Sequence, residues 1–152
     1  MVAETWAAFF PDPSTPDQIP HPIFPGGGIH QLTMFADYRV PQILHHFKIL
    51  TYPPSLLKLL KSGHNFEHGS KEEVSIRAAS IVAVERVRDE ILFLRDQSKE
   101  TAGAATVGWE RDPDVPICSV LIDFYLWDAA KQIENDAREV VVPPHRTRSI
   151  WY

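Results

Sequence analysis

Proline sets the first limit on what this chain can fold into. Six of its 13 prolines fall in the first 25 residues: Pro11, Pro13, Pro16, Pro20, Pro22 and Pro25. Proline fixes φ and removes a backbone donor, so this stretch cannot be a regular helix. Gly26, Gly27 and Gly28 follow it and add backbone freedom. Residues 1–30 are therefore expected to form an extended Pro/Gly-rich arm. Trp6, Phe9, Phe10, Ile23 and Phe24 make that arm too apolar for a solvated tail. It lies either on the core or against protein outside this chain.

From residue 31 the pattern turns helical. Pro41 suits the first turn of a helix, where its missing N–H costs nothing. Val40, Ile43, Leu44, Phe47 and Leu50 recur at helical spacing through residues 40–50. Tyr52, Pro53 and Pro54 break that run. Ser55 can cap a short helix carrying Leu56, Leu57, Leu59 and Leu60, with Gly63 as its stop. Ser70 and Glu73 form a capping box. After it, Val74, Ala78, Ile81, Val84, Ile91 and Leu94 mark an apolar stripe to about residue 95. Residues 96–115 are polar and carry Gly103, Gly108 and Pro113, so they read as a loop. A last helix is expected from about Pro116 to Arg138. No convincing alternating strand is present, and the fold class is all-α.

The 152 residues suit one domain or a large part of one. Apolar residues make up 44% and charged residues 23%, enough for a real core. Fifteen Lys+Arg against 20 Asp+Glu leave a formal charge of -5. That balance disfavours a binder of nucleic-acid backbone, which normally presents a basic surface. One cysteine, Cys118, allows no internal disulfide and no zinc cluster. It fits a reducing compartment, and a cytoplasmic location is expected. No run of about 18 apolar residues exists, so no membrane span is expected. The start MVAETWAAFF lacks the basic region of a secretory signal.

Three carboxylates stand out. Asp123 interrupts Ile117-Cys-Ser-Val-Leu-Ile-Asp-Phe-Tyr-Leu-Trp127, a run apolar nearly all round and so expected to be largely buried. A buried carboxylate needs a cation, several donors or a ligand, or it takes up a proton. Asp128 follows five residues later, about 140° round the helix. Asp37 stands just before an expected helix start, where it can accept hydrogen bonds from the first free N–H groups. Phe35 and Tyr38 flank it and can stack on a planar ring. Arg39 can pair with a carboxylate or a phosphate. Each of these also has a purely structural reading: a cap, a bridge or a surface ion pair. The seven histidines give no metal signature. His45 and His46 point to different sides of a helix, and His64 and His68 lie between glycines. Gly26-Gly-Gly28 lacks the lysine of a phosphate loop. His145, Arg146 and Arg148 cluster before Trp151-Tyr152, either as an anion clamp or as a packed C-terminus.

Taken together and in order, FADYRVPQIL, SKEEVSIRAASIVAVE, IDFYLWD and PHRTRSIWY resemble the queuosine salvage protein family. The resemblance runs from about residue 29 to Tyr152. It implies a helical fold related to helix-hairpin-helix DNA glycosylases. It also implies release of queuine from queuosine 5′-monophosphate, for reuse in tRNA modification. By resemblance, Phe35 and Asp37 match the family's Phe-x-Asp, in which the Asp is catalytic. Asp123 and Asp128 match its two base-recognising carboxylates, and Phe124 the aromatic residue beside the first. Some family members are expected to carry tyrosine there, so Phe124 keeps the stacking surface and loses a hydroxyl.

Arg39, Arg146 and Arg148 are candidate phosphate contacts. No metal and no organic cofactor is expected. Members are expected to be about twice this length. Residues 31–152 then correspond to the C-terminal half, and a separate N-terminal half is a candidate partner that supplies a substrate-contacting histidine. The chemistry suits the residues. Cleaving a C–N glycosidic bond builds positive charge on the ribose, which a fixed carboxylate at Asp37 would stabilise. Queuine carries a cationic amine and ring N–H donors, for which Asp123 and Asp128 are acceptors of matching charge. The alternative is a non-catalytic helical domain that binds queuine or a nucleotide, or docks on a protein.

Overall fold

The computed structural model describes residues 32–101, 117–135 and 140–148. The expected arm, residues 1–30, lies outside them. Four helices and one pair of very short strands appear in the order α1 (Arg39–His46), α2 (Pro54–Lys61), β1 (Asn65–Phe66), α3 (Lys71–Thr101), α4 (Ser119–Asn135) and β2 (Arg146–Thr147). The architecture is the expected all-α bundle. The strands are the one addition: β1 and β2 pair in parallel, with Asn65 opposite Arg146 and Phe66 opposite Thr147. Two-residue strands are too short to leave an alternating pattern in the sequence.

Helix boundaries follow local chemistry. Helix α1 stops at His46, short of the apolar spacing that continues to Leu50. Lys48 takes φ 62°, the left-handed conformation. The Lys48 N–H donates to the His45 carbonyl and the Ile49 N–H to the Leu44 carbonyl, which is a Schellman stop. Helix α2 ends the same way around Gly63, at φ 68°. There the Gly63 N–H reaches Leu60 and the His64 N–H reaches Leu59. Pro53, not Ser55, precedes the helix, and Pro54 sits at its first position. Helix α3 overruns the expected loop to Thr101, because residues 96–101 contain neither Gly nor Pro. Helix α4 starts at Ser119, within the expected limits, and is described to Asn135; the expected end at Arg138 lies outside the described residues.

The main core joins α1, α3, α4 and the segment before α1. Met34, Ala36, Val40, Ile43, Leu44, Ala83, Val84, Ile122, Leu126 and Ala130 form it. A smaller core of Leu60, Phe66 and Ile76 ties α2, β1 and the start of α3 together, with Val142 against it. The buried face of α3 differs from the expected stripe. It runs through Glu73, Ile76, Ser80, Ala83 and Val84, while Val74, Ala78, Ile91 and Leu94 are exposed. Hydropathy misses this face because Glu73 and Ser80 enter the interior with polar partners. Helix α4 is also buried on one side only. Ile122, Asp123 and Leu126 face the core, whereas Leu121, Phe124 and Tyr125 are exposed.

Candidate active site

The site is built on the four residues before α1. Met34 and Ala36 are buried, while Phe35 is 63% exposed and Asp37 half-buried. That alternation passes through a γ-turn at Ala36, closed by the Asp37 N–H on the Phe35 carbonyl. It places Phe35 and Asp37 on the same side of the segment and seats Ala36 in the core.

Three elements hold this segment. At its start, the Thr33 hydroxyl donates to Glu85 Oε1 on α3 at 3.1 Å. The Phe35 N–H donates to Asp123 Oδ2 on α4 at 2.9 Å. Further on, the Arg77 guanidinium on α3 donates to the Ala36 carbonyl at 3.0 Å. The segment thus runs antiparallel to α3. Eight helical residues, about 12 Å of rise, are matched by three extended ones, about 10 Å. Glu85 is further fixed by the Ser119 hydroxyl at 2.6 Å and by an ion pair with Arg88.

Asp37 is held at the mouth of α1. Its Oδ1 accepts the N–H groups of Arg39 and Val40, each at 2.9 Å. The expected capping role is therefore present. Its own N–H donates to the Phe35 carbonyl at 2.8 Å. The Trp127 side chain on α4 lies on the same carboxylate's side and favours its charged form. Burial pushes the Asp37 carboxyl above its ordinary value, and the Val40 and Arg39 N–H groups and the Trp127 side chain oppose that rise. Asp37 is thus rigid, partly desolvated, and accessible on one side.

Asp123 is buried at 9% exposure. Burial raises its carboxyl to about 6, the Phe35 N–H works against the rise, and the negative charge of Asp37 adds to it. The two carboxylates therefore share one electrostatic environment. Asp128 does not join them directly. It lies on the exposed side of α4, on the face that also carries Phe124. Phe124 is 37% exposed, which leaves its ring free to stack.

Arg39 is committed to the protein. Its guanidinium pairs with Glu134 and lies over the rings of Tyr38, at 5.5 Å, and Trp127, at 5.3 Å. Arg146 lies in β2 beside Gly63, and Arg148 follows it; both are exposed. A groove of about 530 Å³ lies away from the carboxylates, between the end of α1 and α3. Leu50, Ala79, Val82, Arg86 and Glu90 help to line it, and none of the site residues does.

Sequence reasoning missed Trp127, Glu134 and Arg77. A spacing of four residues from Asp123 to Trp127 puts both on one helix face, so Trp127 was within reach of a face argument. Arg39 and Glu134 are 95 residues apart, and no local signal joins them. Among the described residues no group of three His, Cys, Asp or Glu side chains could hold a metal ion.

Comparison with known proteins now bears on this geometry. The family model described as queuosine salvage protein matches residues 1–152. A queuosine 5′-phosphate N-glycosylase/hydrolase of Mus musculus is 44% identical over 124 residues, which cover 82% of this chain and 32% of that protein. Its counterpart in Bos taurus is 39% identical over 124 residues, 82% of this chain and 33% of that protein. The one from Nematostella vectensis is 34% identical over 159 residues, all of this chain and 39% of that protein. The chain spans about a third of the length of these relatives, less than the half expected from its sequence. With its whole length matched, the chain belongs to the queuosine salvage protein family.

Proposed function

We propose that this chain carries the catalytic carboxylate of an enzyme that hydrolyses the N-glycosidic bond of queuosine 5′-monophosphate and releases queuine. The observation that supports this most is the placement of Asp37. A carboxylate held by two backbone N–H groups beside an indole cannot swing away, and it faces the same side as the exposed Phe35 ring. Such a fixed negative charge is what a ribose developing oxocarbenium character needs. Phe35 and Phe124 would stack on the base. Asp123 would accept from its ring N–H groups or cationic amine, and Asp128 would contact it from the rim.

The phosphate would be met from the Arg146 and Arg148 side. Arg39 is less suited to this, since it already neutralises Glu134. The reaction needs no metal or organic cofactor: water is the co-substrate, and the leaving base takes up a proton. The exposed Leu121, Phe124 and Tyr125 side chains favour a pocket completed by further protein, such as the remaining part of the longer relatives. Descent from a helix-hairpin-helix glycosylase architecture and a cytoplasmic location belong to the same proposal. No described helix is long and apolar enough to cross a membrane.

The test is queuine release from queuosine 5′-monophosphate by this chain, alone and supplemented with the upstream part of a longer relative. Asp37→Ala is expected to abolish release. Wild-type turnover by Asp37→Ala would overturn the assignment. A non-catalytic queuine-binding domain would instead show calorimetric binding with no hydrolysis under either condition.

A further inference from the structure

An ion pair between a buried glutamate and a half-buried arginine lies behind the Asp37 segment, outside the set of residues assigned above. Glu73 is 2% exposed, yet it is charged and sits in the first turn of α3. Its Oε1 is 2.7 Å from Arg77 Nε, one helical turn on. Its Oε2 accepts the Gly69 N–H at 2.9 Å, and the Ser70 hydroxyl accepts the Glu73 N–H at 3.4 Å. His68 Nδ1 lies 3.9 Å away on the exposed side. The capping box expected at this helix start is therefore present in a shifted form. The glutamate reaches back to the residue before Ser70, and its other oxygen is turned to Arg77.

A helix start could be capped without burying a glutamate against a half-buried arginine. Burying charges is costly, and a surface cap would avoid that cost. What the burial achieves is visible at the far end of Arg77. With the guanidinium drawn to Glu73 by that ion pair, its Nη1 donates to the Ala36 carbonyl, 3.0 Å away. Ala36 is the residue immediately before Asp37. A planar guanidinium with fixed donors can serve both acceptors at once, whereas an ammonium is a point charge on a flexible stem.

We infer that Arg77, oriented by Glu73, is a positioning residue that fixes the backbone at Ala36 and thereby the capping geometry of Asp37. Its consequence for turnover rests on the catalytic reading of Asp37; its consequence for the backbone does not. Without the bond, the peptide between Ala36 and Asp37 keeps only the Asp37 N–H bond to the Phe35 carbonyl and is held less tightly. The Asp37 carboxylate then leaves the Arg39 and Val40 N–H groups part of the time. Misplacement of a catalytic group by about 1 Å can cost on the order of 100-fold in rate.

The experiment compares Arg77→Lys and Arg77→Met with wild type by native-state amide hydrogen exchange. Lys keeps the charge beside Glu73 but cannot hold both acceptors. Arg77→Lys is expected to fold and to lose at least 10-fold of protection at the Arg39 and Val40 amides. Amides of α4 from Ile122 to Leu126 should stay within threefold. Arg77→Met should show the same local loss wherever it folds, and if it does not fold, the lysine variant decides. Protection at Arg39 and Val40 within threefold of wild type in folded Arg77→Lys would overturn the inference. A second arm measures queuine release where wild type turns over: kcat should fall about 100-fold with KM within threefold. Unchanged kcat alongside lost protection would also overturn the positioning role. Absence of wild-type turnover bears on the proposed function alone, and the amide result then decides the inference.

Discussion

Replacing Asp123 with asparagine should stabilise the fold at neutral pH while impairing the site. Asp123 is buried, has one backbone donor in Phe35 and lies near the charge of Asp37. These surroundings move its carboxyl from 3.8 to about 6. The folded value is the higher one, so the protonated form is favoured by folding. The stabilising contribution is complete below 3.8 and is lost as the pH rises through about 6. A shift of roughly two units corresponds to about 3 kcal/mol. Asparagine keeps the shape and an oxygen for the Phe35 N–H, and it never ionises. Its advantage over wild type should grow from about 0.5 kcal/mol at pH 4 to about 3 kcal/mol at pH 7.5, with most of the rise below pH 6. Urea unfolding of both proteins at four pH values between these limits measures it. Taking the difference between the two proteins cancels groups that titrate alike in both, such as His145. A pH-independent difference, or one that favours wild type more at pH 7.5 than at pH 4, would refute the reasoning. The same substitution should weaken calorimetric binding of queuine, since a carboxylate suited to a cationic amine is gone.

Three further outcomes are expected. His145 is buried, and that burial, with Arg77 nearby, lowers its imidazole from 6.5 to about 4; its stabilising contribution is present above 6.5 and lost as the pH falls through 4. His145→Gln should therefore flatten the loss of urea stability across that window, by up to about 3 kcal/mol. Lys48→Gly should stabilise the protein by about 0.5 kcal/mol, because relief of the left-handed conformation outweighs the added freedom of the unfolded chain; thermal unfolding would show it. Trp127→Phe removes a polar neighbour of Asp37 and should raise that carboxyl further, read by carboxyl-carbon NMR titration.

The sequence made some of this legible and hid the rest for physical reasons. Caps and stops are local, so Gly63, the Ser70–Glu73 box and the capping position of Asp37 could be read directly. Asp123 declared itself by contrast with its apolar neighbours. The face of α3 was misread because a buried Glu73 and Ser80 count as polar in any hydropathy pattern, although Arg77 on the same helix partners both. Arg77 and Trp127 looked like ordinary helix residues, since their contacts to the Asp37 segment span 41 and 90 positions. The stop of α1 at Lys48 was hidden because lysine rarely adopts that conformation.

The alternation along Met34–Asp37 makes the site a matter of register. Side chains there change sides with every residue, and the Phe35 N–H and Ala36 carbonyl pin the middle of the stretch. Deleting or inserting one residue between Thr33 and Asp37 would not merely shift the carboxylate along the surface. It would set the Asp37 cap on α1 out of step with the anchors of Phe35 on α4 and Ala36 on α3. The length of this stretch is therefore as constrained as its Phe35 and Asp37 side chains.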